Sequence, residues 1–521
     1  MQVSTAVIYC LFAAGTVFGY AAIKPVLIKE GVYSDFCTAE ESYDSGGTCY
    51  EQELRYNGHD WRIKYCCLSM INNRLNFMFT TAAVATNVCA LPVGTILDKY
   101  GPRVSGISGS ILLAIGALLL AFASQLPFDG YIPGYLFLAL GGPFIFISSF
   151  QLSNTFSNHS GLILALLTGA FDSSSAIFLF YRLLYSASNG TFTLQKFFLI
   201  YLIVPVFILL AQFFIMPSNS YKTIGELVSG AEDPLMAVDH ANPDSYDCEG
   251  IDRLREERRA HPESVVSEIT SLLGKKDKDE LDEQEAKKKE TSGVWGALHG
   301  RSALDQLRTP WFILITTFTV VQMTRINYFV ATIRTQYDYL LKSDLLAEHV
   351  NQVFDIALPL GGVLSVPFIG LVLDNSSTPF VLALLVTIAT CVGVLGILPF
   401  TWAAYANIAI FVLYRPLYYT AVSDYAAKVF GFRTFGKVYG LIICLAGLLN
   451  FSQSALDAMT HKVFNGDPVP VNIVMLVIAL VVGIALVGYV WQKSRSLARE
   501  RLEEEAEETT NTPMPVVRET G

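Results

Sequence analysis

Charge is what this 521-residue chain has least of: 16% of its residues are Asp, Glu, Lys or Arg, against 52% apolar. A soluble chain of this length would carry nearer a quarter. The charge is also segregated, with 45 of the 82 charged residues in 217–308 and 492–521. The remainder consists of apolar runs of about 20 residues, long enough to cross a bilayer. Seven histidines are present, and none sits deep in an apolar run, which counts against a histidine proton relay. There is no Walker loop, no nucleophile–base–orienter arrangement and no metal-ligand spacing; adjacent Cys66 and Cys67 do not make one. These absences exclude a nucleotide-driven pump and an enzyme, and no catalytic residue, cofactor or metal is expected. The net charge of −10 comes mainly from the segregated segments, so it says little about a ligand, and nothing points to nucleic acid.

What is present is hydrophobic length. The first 22 residues are apolar almost from the start and lack a basic n-region, so they read as a spanning helix rather than a cleaved signal. Twelve spans are predicted: 4–24, 75–97, 104–125, 131–152, 159–181, 194–216, 310–333, 349–373, 379–399, 402–424, 436–457 and 471–491. Backbone polar groups in lipid must be paired internally, so each span is a helix. An even number puts both termini on one side. Lys99, Arg103, Lys428, Arg433 and Lys437 lie in short loops on that side, and Lys493, Arg495, Arg499 and Arg501 follow the last span. The opposite short loops 126–130, 400–401 and 458–470 hold Lys462 alone among Lys and Arg. The positive-inside rule then makes the terminus side cytoplasmic.

The predicted organisation is an N-terminal six-helix half (1–216), a charged cytoplasmic linker (217–308), a C-terminal six-helix half (309–491) and an acidic tail (492–521). The linker, with runs such as Lys275–Glu290, reads as solvated and mobile or locally helical. A long first outer loop, 25–74, holds Cys37, Cys49, Cys66 and Cys67. In an oxidising lumen these would form one or two disulfides, of unreadable connectivity, or remain thiols. Asn189-Gly-Thr191 is a glycosylation sequon on the outer side. Glu268, Leu272 and Leu273 spell an acidic dileucine sorting string in the linker, or else a turn of short amphipathic helix. The first alternative suits a vacuolar or lysosomal membrane; the plasma membrane is the other.

The stretch Gly94-Thr-Ile-Leu-Asp98-Lys-Tyr-Gly101-Pro-Arg103 joins two membrane-length runs. Gly94 permits close helix approach. Asp98 suits the positive end of a neighbouring helix. Gly101 and Pro102 make a stiff turn. Gly370 and Asp374 repeat the Gly-x-x-x-Asp spacing after the eighth span without the trailing Arg, an internal echo suited to paired halves with alternating access. The pattern resembles the signature loop between helices two and three of the major facilitator superfamily, which implies the twelve-helix, two-half all-α fold and a functional monomer.

Further stretches resemble solute carrier family 43, the L-type amino-acid transporters, and their fungal relatives. They are Glu30-Gly31-Val-Tyr33-Ser34-x-x-Cys37, Leu91-Pro92-x-Gly94, Phe137-Leu-Ala-Leu and the serine-rich fifth span, Ser173 to Ser175. Phe435-Gly436 with Gly440-Leu441, and Gly466-Asp467-Pro468-x-x-Val471-Asn472, complete the set. The resemblance implies sodium-independent, facilitative movement of large neutral amino acids. Arg325 and Arg415 each stand about one position from the family arginines, and Asp172 replaces an uncharged family residue.

Charges inside the membrane are costly and line cavities or pair with one another. Asp172, Arg325 and Arg415 each lie on the order of 20 Å from a span end. A zwitterionic amino acid needs a cation for its carboxylate, which Arg325 or Arg415 can supply. It needs an acceptor for its ammonium, which Asp172 with Ser174 can supply. Equally, Asp172 can pair with an arginine across the halves as a gate. Gln322, Asn327 and Tyr328 share the seventh span with Arg325 and either line a pathway or bond helix to helix. Gly15 and Gly19 in span one either pack closely or expose backbone; Ser148 and Ser149 are similarly open. Asp355 is a vestibule carboxylate or a proton-responsive gate. The expected function is alternating-access transport of a neutral amino acid. An amino-acid sensor without transport, or a carrier of another small anion with or without protons, are the alternatives.

Overall fold

The computed structural model describes residues 2–33, 61–155, 160–217, 291–431 and 433–511. Cys37, Cys49, Glu268, Leu272 and Leu273 lie outside them, and the side chains of Cys66 and Cys67 are likewise outside the description. Among the described residues the regular structure is helical.

Span one is α1 (Gln2–Ala13) and α2 (Tyr20–Lys29), joined by a 3-10 turn at Thr16–Gly19. Span two is α3 (Trp61–Val88) running into α4 (Ala90–Ala121). The second helix breaks at Gly101, whose φ of 83° only glycine adopts without strain, and Pro102 then starts span three. Span four is α5 (Tyr131–Ser149), span five α6 (Ser160–Ser173) with α7 (Ala176–Ala187), and span six α8 (Leu194–Tyr201) with α9 (Ile203–Phe214). A short α10 (Ala303–Leu307) precedes span seven, α11 (Pro310–Leu341). Span eight is α12 (Asp344–Leu364) and α13 (Val366–Asn375), bent by 45°. Span nine is α14 (Thr378–Leu395) and span ten α15 (Thr401–Phe430). Span eleven is α16 (Phe435–Leu449) with α17 (Ser452–Lys462), and span twelve is α18 (Val469–Asn511).

Eight described stretches pass a strict length-and-hydropathy test for crossing a membrane, and the bent pair of span eight makes nine. The stretch Arg74–Ala121 is spans two and three divided at Gly101. Span eleven falls short because it is split at Asn450. In span ten, Asn407, Arg415 and a run of tyrosines hold the hydropathy down. Twelve passes in two halves of six result.

Three boundaries differ from those expected. Helix α3 begins at Trp61 rather than 75, so the first outer loop is shorter than its polar residues suggested. The last helix runs past the predicted span end at 491 to Asn511, into the acidic tail. The end of the linker is folded, not free. Val294, Trp295 and Leu298 are buried, and Gly296 and Leu298 donate backbone bonds to Lys428 O (3.1 Å) and Val429 O (3.0 Å) at the end of α15. Gln306 ties Leu298 O and Phe430 O together, each at 2.9 Å. Three apolar side chains in an otherwise charged segment supply the burial that holds it there.

Candidate functional site

The two halves meet along spans two and eleven and along spans five and eight. Glycine makes the contact possible. A methyl group on Gly94 would run into the Gly436 carbonyl, and one on Gly440 into Ala90 O. On the other seam, a methyl at Gly370 would meet Leu162, and one at Gly169 the Gly362 carbonyl at 2.6 Å. Backbones touch without intervening side chains, the packing small residues allow in a membrane.

Each seam is closed at the terminus side by a carboxylate. Asp98 accepts from Gly436 N and Lys437 N, both at 2.9 Å, capping the start of α16 in the opposite half. Asp374 accepts from Gly161 N (2.7 Å) and Leu162 N (3.2 Å), capping the start of α6 in the opposite half. The first-turn N–H groups have no helical partner, and the helix dipole favours an anion there. The Gly94/Asp98 and Gly370/Asp374 echo is therefore one device used twice. Arg103 does something else: its Nη2 donates to Met216 O (2.7 Å) within the N-terminal half, holding the end of span six. An aromatic cluster backs the carboxylates. Phe150 at the end of span four meets Phe435 and Tyr439 of span eleven, with ring centroids 6.0 and 5.6 Å apart.

Above these contacts lies the ion pair. Asp172 Oδ1 of span five sits 3.2 Å from Arg415 Nη1 of span ten, with side chains 2% and 12% exposed. The pair is Coulombic rather than aligned: Asp172 Oδ1 and Arg415 Nε both lack a hydrogen-bond partner. Arg415 also lies over the Tyr419 ring, 5.8 Å from its centroid. Gly362 of span eight gives Asp172 its room, since a Cβ there would stand 3.0 Å from the Asp172 Cβ. Two opposite charges from opposite halves thus face each other with unused hydrogen-bonding capacity.

Arg325 does not join them. It turns into the C-terminal half, donating to Gln322 Oε1 (3.2 Å) and Ala389 O (3.1 Å). It lines a cavity of about 50 Å³ with Tyr414, Asn407 and Tyr328. Periodicity placed both arginines at similar depth but could not say which way each faced. Tyr328 bonds Thr460 Oγ1 (2.8 Å) across spans seven and eleven, the helix-to-helix alternative. Asn327 is half-buried and, two residues from Arg325, points to the other side of α11. Ser174 is a packing strut: Gly15 N donates to its hydroxyl (2.8 Å), which donates to Phe171 O (2.6 Å). Gly15 and Gly19 pack span one on span five, meeting Phe171 O and Ser175 O. Ser148 and Ser149 bond Ile145 O in their own helix, and Ser149 also contacts the Tyr9 hydroxyl. Asp355 is exposed and accepts from Asn351 (3.1 Å). Asn189 is exposed on a turn with φ 51° on the side away from the termini.

Residues missed from sequence are Phe150, Tyr439, Tyr414 and Tyr419. For the last two the string Tyr414-Arg-Pro-Leu-Tyr-Tyr419 was the available signal, since three tyrosines around one arginine are unusual for lipid-facing helix.

The sequence pattern of the Major Facilitator Superfamily matches residues 48–452, most of the chain. The chain belongs to that superfamily. Protein FMP42 of Saccharomyces cerevisiae is 45% identical over 94% of each chain. The Equilibrative nucleobase transporter 1 of Bos taurus is 23% identical over 91% of this chain and 92% of its own length. The human Large neutral amino acids transporter small subunit 3 is 30% identical over 35% of this chain and 31% of its own. Among solved structures, the proton:xylose symporter XylE bound to 6-bromo-6-deoxy-D-glucose shares the fold, with TM-score 0.58 at 13% identity over 94% of this chain and 95% of that one. This superfamily member is a membrane transporter and not an enzyme.

Proposed function

We propose that the protein carries neutral amino acids by alternating access, with Asp172 and Arg415 as the substrate contacts. The observation that carries this is the unaligned ion pair between the halves. An amino acid's carboxylate and ammonium match those two charges one for one. Substrate inserts between them, takes the carboxylate to Arg415 and the ammonium to Asp172, and replaces one Coulombic contact by two charge-assisted hydrogen bonds. The family 43 motifs and the human amino-acid transporter relative support this substrate class, and the motif resemblance implies a facilitative, sodium-independent cycle. The positively charged terminus side is the cytoplasmic one, so the Asp98 and Asp374 caps close the cytoplasmic gate and substrate enters from outside. Asn189 is the glycosylation site of the outer face, and the protein works as a monomer.

The test is uptake of radiolabelled leucine into liposomes containing the purified protein, with and without a pH gradient. Saturable uptake indifferent to the gradient is expected. Uptake that requires the gradient makes Asp172 or Asp355 a proton site. No leucine uptake by folded protein overturns the reading. Saturable uptake of radiolabelled adenine that leucine does not compete would put a nucleobase, the cargo named for the bovine relative, in its place.

A further inference from the structure

Arg325 is a deep cation without a counter-charge. It sits midway along α11, and among the described residues no carboxylate lies within ion-pair distance. The acceptors it bonds, Gln322 Oε1 and Ala389 O, are neutral. A guanidinium carries five N–H donors and keeps its charge, and an unneutralised charge in the membrane interior is expensive. Gly393 leaves room for it: a Cβ there would stand 2.7 Å from Arg325 Nη2.

The surrounding cavity of about 50 Å³ shows the same deficit from the protein's side. Tyr414 is 2% exposed and Asn407 is 0% exposed. Both line the cavity, yet the Tyr414 hydroxyl and Asn407 Oδ1 have no partner. Buried polar atoms are rarely left so, and an exception asks for a bound species. The space holds roughly three to five water-sized particles. It is far below the ~300 Å³ at which organic-ligand sites begin.

We propose that this cavity is a binding site for a small monovalent anion of halide size, held by the Arg325 guanidinium and the Tyr414 hydroxyl within the C-terminal half. Asn407 completes it by turning its amide. At present Nδ2 donates to the Tyr337 hydroxyl at 3.0 Å. Turned, Oδ1 accepts from that hydroxyl and Nδ2 faces the anion as a third donor. Access is from the side away from the termini. Tyr328 also lines an outer cavity of about 200 Å³, which holds Asp338, Asp457 and His461. The carboxylates at that mouth do not attract an anion, so Arg325 alone supplies the pull. The site bears on transport through the chain itself: Tyr414 immediately precedes Arg415, so an anion on Tyr414 steadies the turn of α15 that presents Arg415 to Asp172.

The experiment is thermal unfolding of the purified full-length protein in detergent, titrated with sodium chloride or bromide, with sodium gluconate holding ionic strength constant. A saturable rise in the unfolding midpoint with both halides, against no rise when gluconate alone is varied, is expected. Arg325→Gln should abolish the halide-specific rise. Tyr414→Phe, which removes one hydroxyl, should keep the fold and raise the halide concentration for half-effect several-fold. Identical curves for halides and gluconate overturn the proposal, as does a halide-specific rise that survives in both variants. A rise that leucine suppresses competitively also overturns it, because Arg325 would then belong to the substrate site. Leucine uptake is measured separately, so failure here leaves the transport assignment standing.

Discussion

Removing either partner of Asp172–Arg415 leaves the other charge alone in the membrane interior, which typically costs about 3–5 kcal/mol. Asp172→Asn and Arg415→Gln are each expected to lower both thermal stability and uptake. The double variant separates two roles. If the pair contacts substrate, Asp172→Asn/Arg415→Gln recovers stability, because no bare charge remains, but leucine uptake stays lost. If the pair is only a gate, stability and uptake recover together. Measuring both quantities on all three variants decides between them. Neither residue's role was readable alone. Three deep charges were visible in the sequence, but a helix turns about 100° per residue, so an uncertainty of a residue or two in span register leaves each facing direction open. Tyr414 and Arg415 are neighbours in the chain, yet Tyr414 lines the cavity around Arg325 while Arg415 faces Asp172.

At the scale of the element, the informative unit is a helix end. The caps from Asp98 and Asp374 each make two charge-assisted bonds to backbone N–H groups of the opposite half. Such a bond contributes ~1.5–3 kcal/mol, and ~1.4 kcal/mol is tenfold in an equilibrium. Asp98→Ala and Asp374→Ala are each expected to shift the balance away from the closed terminus side by on the order of tenfold or more. Uptake falls accordingly, the amount of protein inserted in the membrane does not, and the double variant is worse than either. Uptake equal to the parent's in both single variants would remove the latch role. The Gly-x-x-x-Asp spacing announced this element twice, because a tight turn and a helix cap each demand particular residue types. Arg103 belongs to the same signature stretch as Asp98, yet it bonds Met216 O in its own half. Spacing identifies a turn and does not name its partner.

For the whole molecule, the question is whether the segment between the halves carries an output. Its last part, 291–308, is bound to the end of α15 through Gly296, Leu298 and Gln306. The transporter reading predicts that deleting 240–270 and keeping 291–308 leaves leucine uptake within about twofold of the parent, since a twofold change in the length of a long connection alters its closure free energy by only about 0.6 kcal/mol. Loss of a cellular amino-acid response with uptake intact would instead assign a sensing role to the deleted residues. The number of passes, the two-half plan and the loop that marks the superfamily were all legible without coordinates. Hydrophobic length and turn chemistry are local properties, and the bilayer, by requiring every backbone group to be paired, leaves helices as the one solution for such runs. What the chain alone could not determine is pairing: which carboxylate caps which helix, that Asp172 meets Arg415 while Arg325 turns inward, and that Phe150 and Tyr439 close the terminus side. Those contacts join residues up to 339 positions apart. They depend on how twelve helices rotate against one another, and that rotation is set by the glycine seams and the packing of whole faces.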